Sequence, residues 1–139
     1  MAHEVELILA RQHASVLAVP LLLVDARGDT LFFNEPAELI FGRRFDEVDA
    51  LPLETRTALL APRNPDGQVL AVEQLPAMRA LRDRRPAHVA FHINGLDGTR
   101  WAIEATAIPL ESAGGHVLGA FVVLWPQASR GPETARDES

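Results

Sequence analysis

Few side chains in this sequence can do covalent or acid–base chemistry. The 139 residues contain no Cys, no Tyr and no Lys, and all 13 basic residues are Arg. Thiolate nucleophiles, cysteine-bound metals, Schiff bases and phenolic acids are therefore excluded. The remaining candidates are five His and the carboxylates. Enzymatic chemistry would need several of these groups to converge in one cavity.

The spacing of two histidines argues against a shared metal ion. His88 and His92 lie in a segment where apolar and polar residues alternate, which is typical of a β-strand. Residues four apart on a strand are separated by about 13 Å, which is too far to bind one ion. We therefore expect no metal site, and we expect both histidines to face solvent or a dimer partner.

The carboxylates show no paired arrangement either. Asp25, Asp66 and Asp97 each lie in a turn sequence, where hydrogen bonds to the turn backbone explain an Asp. Glu104 alternates with the inward-facing Ile103, and no Ser lies in a Gly-X-Ser-X-Gly motif. These patterns favour a protein that is not an enzyme. The alternative is a small isomerase-like α+β barrel enzyme with an Asp–His pair in a polar cavity.

Length and charge restrict the other functions. A chain of this length corresponds to one domain, and 47% hydrophobic residues suffice for a packed core. The formal net charge of −6 disfavours nucleic acid and an anionic membrane as partners. No apolar run approaches the roughly 18 residues of a membrane helix, and residues 1–6 lack the basic start of a signal peptide. We therefore expect a cytoplasmic protein, and the all-Arg usage is typical of a GC-rich bacterial genome.

The first segment is predicted to be an amphipathic helix with two apolar sides. Residues 4–18 contain no Gly or Pro, and their apolar side chains fall on nearly opposite sides at 100° per residue. One side would pack on its own domain and the other on a second copy, although either side fits either role. The alternative is a helix buried within one core. Residues 1–19 are therefore predicted to be a dimerisation helix, and the predicted interface residues are Val5, Leu7, Ile8, Leu9, Ala14, Leu17 and Trp125.

Turn and cap signals divide residues 20–126 into strands and short helices. Gly28 closes a hairpin, Asn34 and Gly42 bound a short helix, and Asn94–Gly98 and Glu111–Gly115 form two more hairpin loops. The pattern predicts an α+β fold with an antiparallel sheet. Residues 127–139 are predicted to be a disordered tail. The predicted strands lie at 21–24, 30–33, 88–93, 100–107 and 116–125, and the predicted helices at 34–42, within 43–60, and at 73–84.

The order of these features resembles that of PAS domains, a family of small sensory modules. The similarity runs over about residues 17–124. It implies a five-stranded antiparallel sheet with short helices on one face, and a small molecule is often held between the two layers. The motifs that carry the resemblance are Leu21-Leu22-Leu23-Val24-Asp25 with Arg27-Gly28, Phe33-Asn34-Glu35-Pro36-Ala37, Ile40-Phe41-Gly42-Arg43, Asn64-Pro65-Asp66-Gly67-Gln68, Glu73-Gln74-Leu75-Pro76, Arg79-Ala80-Leu81-Arg82, Asp97-Gly98, Ala107-Ile108-Pro109-Leu110 and Gly119-Ala120-Phe121-Val122-Val123-Leu124.

The resemblance also bears on cofactors. Flavin-binding and coumaryl photoreceptors of the family use a Cys, which this sequence lacks. Heme-binding members ligate iron with a His in or near the helix before the third strand, and residues 73–84 contain none. The cofactor therefore stays unknown. The missing Lys and the scarcity of polar groups favour a small apolar or amphiphilic ligand over an anionic metabolite.

A ligand pocket is predicted where small residues follow bulky ones on the inner face of the fourth strand. The sheet becomes shallow there, which leaves either a void or a bound molecule. The alternative is that the helices pack closer over the alanines and leave no pocket. The predicted lining residues are Phe32, Met78, Phe91, Trp101, Ile103, Ala105 and Ala107, and the nearest polar side chains are expected to be Asn94, Arg100 and Thr106.

Together these patterns indicate a stand-alone PAS-type sensory or protein-interaction module in bacterial signal transduction. We expect a homodimer that has no nucleic-acid or membrane partner and that holds, if any ligand, a small apolar one. Pro126 follows the last strand and discourages its continuation into a helix. The signal is therefore expected to pass through a separate effector protein.

Overall fold

The computed structural model of the protein describes residue 10 and residues 18–48 and 51–126. In this part, one five-stranded antiparallel sheet has the strand order β2-β1-β5-β4-β3. The α+β class and the sheet predicted from the sequence are confirmed. The strands are β1 (Leu21–Asp25), β2 (Thr30–Phe33), β3 (Ala87–Asn94), β4 (Arg100–Glu111) and β5 (Val117–Pro126), and the helices are α1 (Glu35–Phe41), α2 (Phe45–Val48), α3 (Leu53–Leu60) and α4 (Pro76–Asp83).

Two predicted segments lie mostly or wholly outside the described residues. Most of the predicted dimerisation helix, with Val5, Leu7, Ile8, Leu9, Ala14 and Leu17, is among them, and so is the predicted tail at residues 127–139. None of the helices in the described ranges is long and apolar enough to cross a membrane.

The turn between β1 and β2 is built by one aspartate and one glycine. The Oδ1 atom of Asp25 accepts hydrogen bonds from the backbone N–H groups of Arg27 (2.9 Å) and Asp29 (3.0 Å). Gly28 completes the turn with φ of +92°, a conformation that strains any other residue. The hairpin signal read from the sequence is therefore confirmed.

The buried side chain of Asn34 positions two elements at once. Its Oδ1 atom accepts hydrogen bonds from the backbone N–H groups of Ala37 (3.2 Å), which caps α1, and of Leu21 (2.9 Å), which begins β1. Its Nδ2 atom donates to the carbonyl of Val19 at 2.8 Å. Gly42 ends α1 in the left-handed conformation, as predicted.

The helix predicted over residues 73–84 is interrupted, which corrects the sequence prediction. A 3₁₀ turn, Val72–Gln74, comes first, and α4 begins at Pro76. Leu75 between them is extended, with φ −68° and ψ 146°. The cause is local, because the ring of a proline disfavours helical backbone at the preceding residue.

The helices cover one face of the sheet, called the inner face here. Its side chains from β1, β3, β4 and β5 form the core with α1, α3 and α4. The most fully buried strand is β1, because residues 21–24 are all at most 5% exposed while Trp125 of β5 is 47% exposed. The inner-face residues include Leu22, Val24, Phe33, Val89, Phe91, Ile93, Ile103, Ala105, Ala107, Ala120, Val122 and Leu124.

Close contact of two central strands leaves no room for a side chain at Gly119. A Cβ atom there would collide with the backbone carbonyl oxygen of Val24, which cannot retreat within a paired strand. We predict that Gly119→Ala lowers the free energy of unfolding by roughly 2–3 kcal/mol, as measured by urea denaturation.

Gly114→Ala is the matched control for this substitution. A Cβ atom at Gly114 would meet the His116 side chain at 3.5 Å and Ser112 Oγ at 3.9 Å, which are ordinary van der Waals contacts. Its free energy of unfolding should stay within about 0.5 kcal/mol of the unsubstituted protein. Equal losses for the two variants would contradict the close-packing explanation.

Candidate functional site

A cavity of about 50 Å³ lies between the inner face of the sheet and helices α3 and α4. Almost all of its wall is hydrocarbon: the sheet contributes Leu22, Phe91, Ile93, Ile103, Val122 and Leu124, and the helical layer contributes residues such as Phe41, Leu60, Leu75 and Ala77. Two polar residues of α3, Arg56 and Thr57, complete the wall. A smaller cavity of about 10 Å³ is also bounded by Arg56.

Arg56 is a buried cation in this wall. Arg56 is 7% exposed. Its Nη1 atom donates hydrogen bonds to the Gly28 carbonyl and to Thr30 Oγ1, both at 2.8 Å. No carboxylate of the described residues lies within ion-pair distance of Arg56. The guanidinium is thus tied to neutral acceptors rather than to a counter-ion.

The environment of Arg56 changes its acidity. Burial lowers the pKa of Arg56 to about 10, and the negative charges of Asp29 and Asp25 oppose this shift without cancelling it. The guanidinium therefore stays protonated at neutral pH. A positive charge that has left water without a close counter-ion is costly, so this charge is an unusual component of an apolar wall.

Local sequence explains why Arg56 points into the core. Leu53, Arg56 and Leu60 are spaced i, i+3 and i+7, so they share one side of α3. The start of α3 is held on the first hairpin, because the Leu53 N–H donates to Asp29 Oδ1 at 2.7 Å. The Thr30 N–H also donates to the Leu51 carbonyl at 2.8 Å. These bonds hold α3 beside the turn that contains Gly28, with the side that carries Arg56 facing the core.

Thr57 brings a second polar atom to the cavity. Its Oγ1 atom is buried and makes no hydrogen bond within the described part of the chain. Buried hydroxyl groups are normally paired, so this one can still accept or donate a hydrogen bond. We call Arg56 and Thr57 the polar corner of the cavity, because they are the two polar residues in its otherwise apolar wall.

Two residues of the predicted lining set, Phe91 and Ile103, face the cavity. Ala105 and Ala107 are fully buried beneath α4, with which β4 is in contact. Phe32 lies at the sheet edge with its ring against Phe45, at 5.3 Å between ring centroids.

The last two members of the predicted set lie elsewhere. Met78 packs near Gly28, and Trp101 is half-buried against the core. A ligand-binding role for the seven residues stays a prediction.

The predicted polar neighbours of the pocket lie away from it. Thr106 is on the outer face of the sheet, because strand alternation places it opposite to Ala105 and Ala107; its predicted position was wrong. Its Oγ1 atom is 2.7 Å from His88 Nδ1, and His88 Nε2 is 3.0 Å from Glu104 Oε1. This places His88 on the outer face, as the alternation predicted.

The other two polar candidates also make contacts of their own. Arg100 is exposed at the start of β4, and Asn94 Oδ1 accepts a long hydrogen bond (3.4 Å) from Arg63. Across the described ranges, no three His, Asp or Glu side chains gather as metal ligands would.

Sequence reasoning missed Arg56 and Thr57. The available signal was an arginine placed between two leucines on one helical side, at spacing that turns all three inward. Arginine on a helix is usually exposed, so this signal is weak without the packing that shows which side of α3 is covered.

Comparisons with solved structures identify the fold. No protein-family model matches the sequence, and no curated protein matches it. The chain is similar to the PAS domain of a protein from Colwellia psychrerythraea, with 15% identity, a TM-score of 0.62 and coverage of 90% of this chain and 99% of that one.

Two further solved structures agree with this assignment. A PAS domain from a two-component sensor histidine kinase matches with 11% identity, a TM-score of 0.59 and coverage of 89% and 98% of the two chains. The PAS domain of nitrogen regulation protein NR(II) from Vibrio parahaemolyticus matches with 16% identity, a TM-score of 0.59 and coverage of 86% and 98%. The chain therefore has the PAS fold, and the resemblance seen in the sequence is confirmed at the level of the fold.

The buried charge of Arg56 predicts an alkaline increase in stability. Because its pKa is lowered in the folded state, the unfolded chain holds more protons above about pH 10, and the free energy of unfolding then rises with pH. Below that pH, the cost of burying the charge is fully present. Urea unfolding between pH 8 and about pH 11 measures this rise.

Arg56→Met is the reference variant for this experiment. The sequence contains no Lys, Tyr or Cys, so no other side chain has an ordinary pKa in this window. The stability difference between the unsubstituted protein and Arg56→Met should grow in favour of the unsubstituted protein above about pH 10. A difference that does not change with pH would show that the guanidinium is not desolvated.

Proposed function

We propose that this protein is a non-enzymatic sensory or interaction module of signal transduction that holds a small molecule in the cavity beside α3. The observation that carries the proposal is an apolar cavity with one polar corner that lies between the sheet and the helices. Such a cavity can select a ligand, and its occupation can change how α3 and α4 pack. Similar solved domains come from a sensor histidine kinase and a nitrogen regulation protein, which supports a signalling role.

The chemistry of the cavity wall supports a binding role over catalysis. An isomerase-like enzyme would need a carboxylate or imidazole aimed at the substrate. In the described residues, the walls of the two cavities contain no Asp, Glu or His. The arginine and the threonine can bind and orient a ligand, but neither is a general base at neutral pH.

The outer face of the sheet supports the proposal of a homodimer. Phe121, Val123 and Trp125 of β5 lie on this face. The first two are partly exposed and Trp125 is 47% exposed, whereas Leu21 beside them is buried. The exposed apolar strip along β5 suits a second copy of the chain, with residues 1–19 as the connecting helix. A separate effector would then read the state of the dimer. We further propose a bacterial, cytoplasmic protein with neither nucleic acid nor membrane as partner.

The dimer proposal predicts a change of mass when the segment 1–19 is made polar. Leu7→Glu and Leu9→Glu, on nearly opposite sides of the predicted helix, should each be compared with the unsubstituted protein by size-exclusion chromatography with light scattering. At least one of them should convert the dimer to a monomer, because a buried carboxylate disfavours the interface.

Leu39→Glu is the control for the dimer experiment. Leu39 is 77% exposed on α1, on the helical side of the sheet, so its substitution should leave the mass unchanged. A monomeric mass for the unsubstituted protein at 100 µM would contradict the dimer. So would a dimer that survives both substitutions in residues 1–19.

The ligand proposal predicts that filling the cavity blocks binding. Ala77 lines the cavity and is 4% exposed, so Ala77→Val should occupy much of the free volume. We expect it to abolish chemical-shift changes that ethanol, a small neutral probe, causes in the NMR spectrum of the full chain. Ala58→Val, at an exposed position of α3, should leave those changes intact. Unaltered binding to Ala77→Val would place the probe outside this cavity.

A further inference from the structure

The guanidinium of Arg56 has one edge in use and one edge free. Its Nη1 atom makes two hydrogen bonds, to the Gly28 carbonyl and to Thr30 Oγ1. Its Nε and Nη2 atoms make no hydrogen bond within the described ranges, 18–48 and 51–126. Nε–H and one Nη2–H point the same way along one edge of the planar group, which is the geometry that holds both oxygens of a carboxylate.

The electrostatics of the site favour an anion on this edge. Arg56 has left water, and no described carboxylate is close enough to pair with it. An ionised group that entered the cavity would supply the missing counter-ion in a region of low dielectric, where pairing is strong. Thr57 Oγ1, which is buried and unpaired, can donate a further hydrogen bond to the same group.

The charge and the walls restrict the anion further. Arg56 is the single cationic residue that lines the cavity in the described structure, so a dianion would bring a second charge without a partner. The rest of the wall, formed by residues such as Leu22, Val122 and Leu124, suits a hydrocarbon chain. The volume of about 50 Å³ is about one third of a cavity that accommodates benzene, so the chain must be short.

We propose that the cavity binds a short-chain aliphatic monocarboxylate, with its carboxylate on the Nε–Nη2 edge of Arg56 and its chain against the sheet. This inference rests on the proposed function, since it names the chemical class of the ligand for the same cavity. It also modifies the expectation of an apolar or amphiphilic ligand rather than an anionic one, which took no account of an arginine inside the core.

The test compares acetate with its neutral isostere, acetamide, on the full chain. Binding to the unsubstituted protein is measured by NMR titration at pH 7. Acetate should bind at least tenfold more tightly than acetamide, because the amide cannot neutralise Arg56. Hexanoate should bind more weakly than acetate, since the cavity has no room for its chain.

Substitutions then locate the carboxylate. Arg56→Met should weaken acetate binding at least tenfold and leave acetamide binding unchanged, and Thr57→Val should weaken acetate binding about threefold. Arg79→Met, at an exposed position of α4, is the control and should change neither affinity. If Arg56→Met does not fold, the comparison of acid with amide and the Thr57→Val variant still test whether the carboxylate binds in the polar corner.

The outcomes separate this inference from the proposed function. Equal affinity for acetate and acetamide, both lost in Ala77→Val, would overturn the carboxylate assignment and keep the apolar ligand site. Acetate binding that survives both Arg56→Met and Thr57→Val would also overturn it. If neither compound nor ethanol binds the unsubstituted protein, the ligand site itself is wrong.

Discussion

The paired hydrogen bonds from Arg56 to the Gly28 carbonyl and to Thr30 Oγ1 are the constraint on which the interior of this domain depends. They join α3 to the turn between the first two strands, across the layer boundary of the fold. A guanidinium cannot be placed in hydrocarbon without acceptors, so these two oxygens determine where α3 can lie. With α3 held there and α4 packed on β4, the space between the helices and the sheet is left partly open.

The same turn serves several neighbours, which explains its composition. Asp25 closes it, Asp29 accepts a hydrogen bond from the first N–H of α3, and Gly28 leaves space that a Cβ atom would take from the Met78 sulfur.

A wholly apolar interior would be easier to stabilise, because burying a charge without a counter-ion costs free energy. Proteins commonly keep such costly groups where a ligand is bound, at the expense of stability. The position of Arg56 in a cavity wall fits that general relation between stability and function.

Local sequence signals predicted much of the fold, but they did not predict the position of the cavity. Asn34 and Gly42 bound α1 as predicted, and alternation placed Phe91 and Ile103 on the inner face. The start of α4 was misjudged because Leu75 continues an apolar helical pattern, although Pro76 forbids helical backbone before it. The pocket was predicted along β4, over small side chains that α4 instead covers closely. The cavity lies nearer to α3, where the sequence shows only a short helix containing an arginine.

The sequence alone determined which chemistries are excluded, where the turns and helix caps lie, and which residues share a side of each strand. These depend on residue type and on interactions between residues a few positions apart, so they can be read locally. Tertiary structure alone decided that Arg56 meets Gly28 and Thr30, which are 28 and 26 positions away in the chain. It also decided that Thr57 and Arg56 form one polar corner in an apolar cavity. Such a cavity is the space that the packed helices and sheet leave unfilled. Its position depends on how all of these elements pack together, so no short stretch of sequence encodes it.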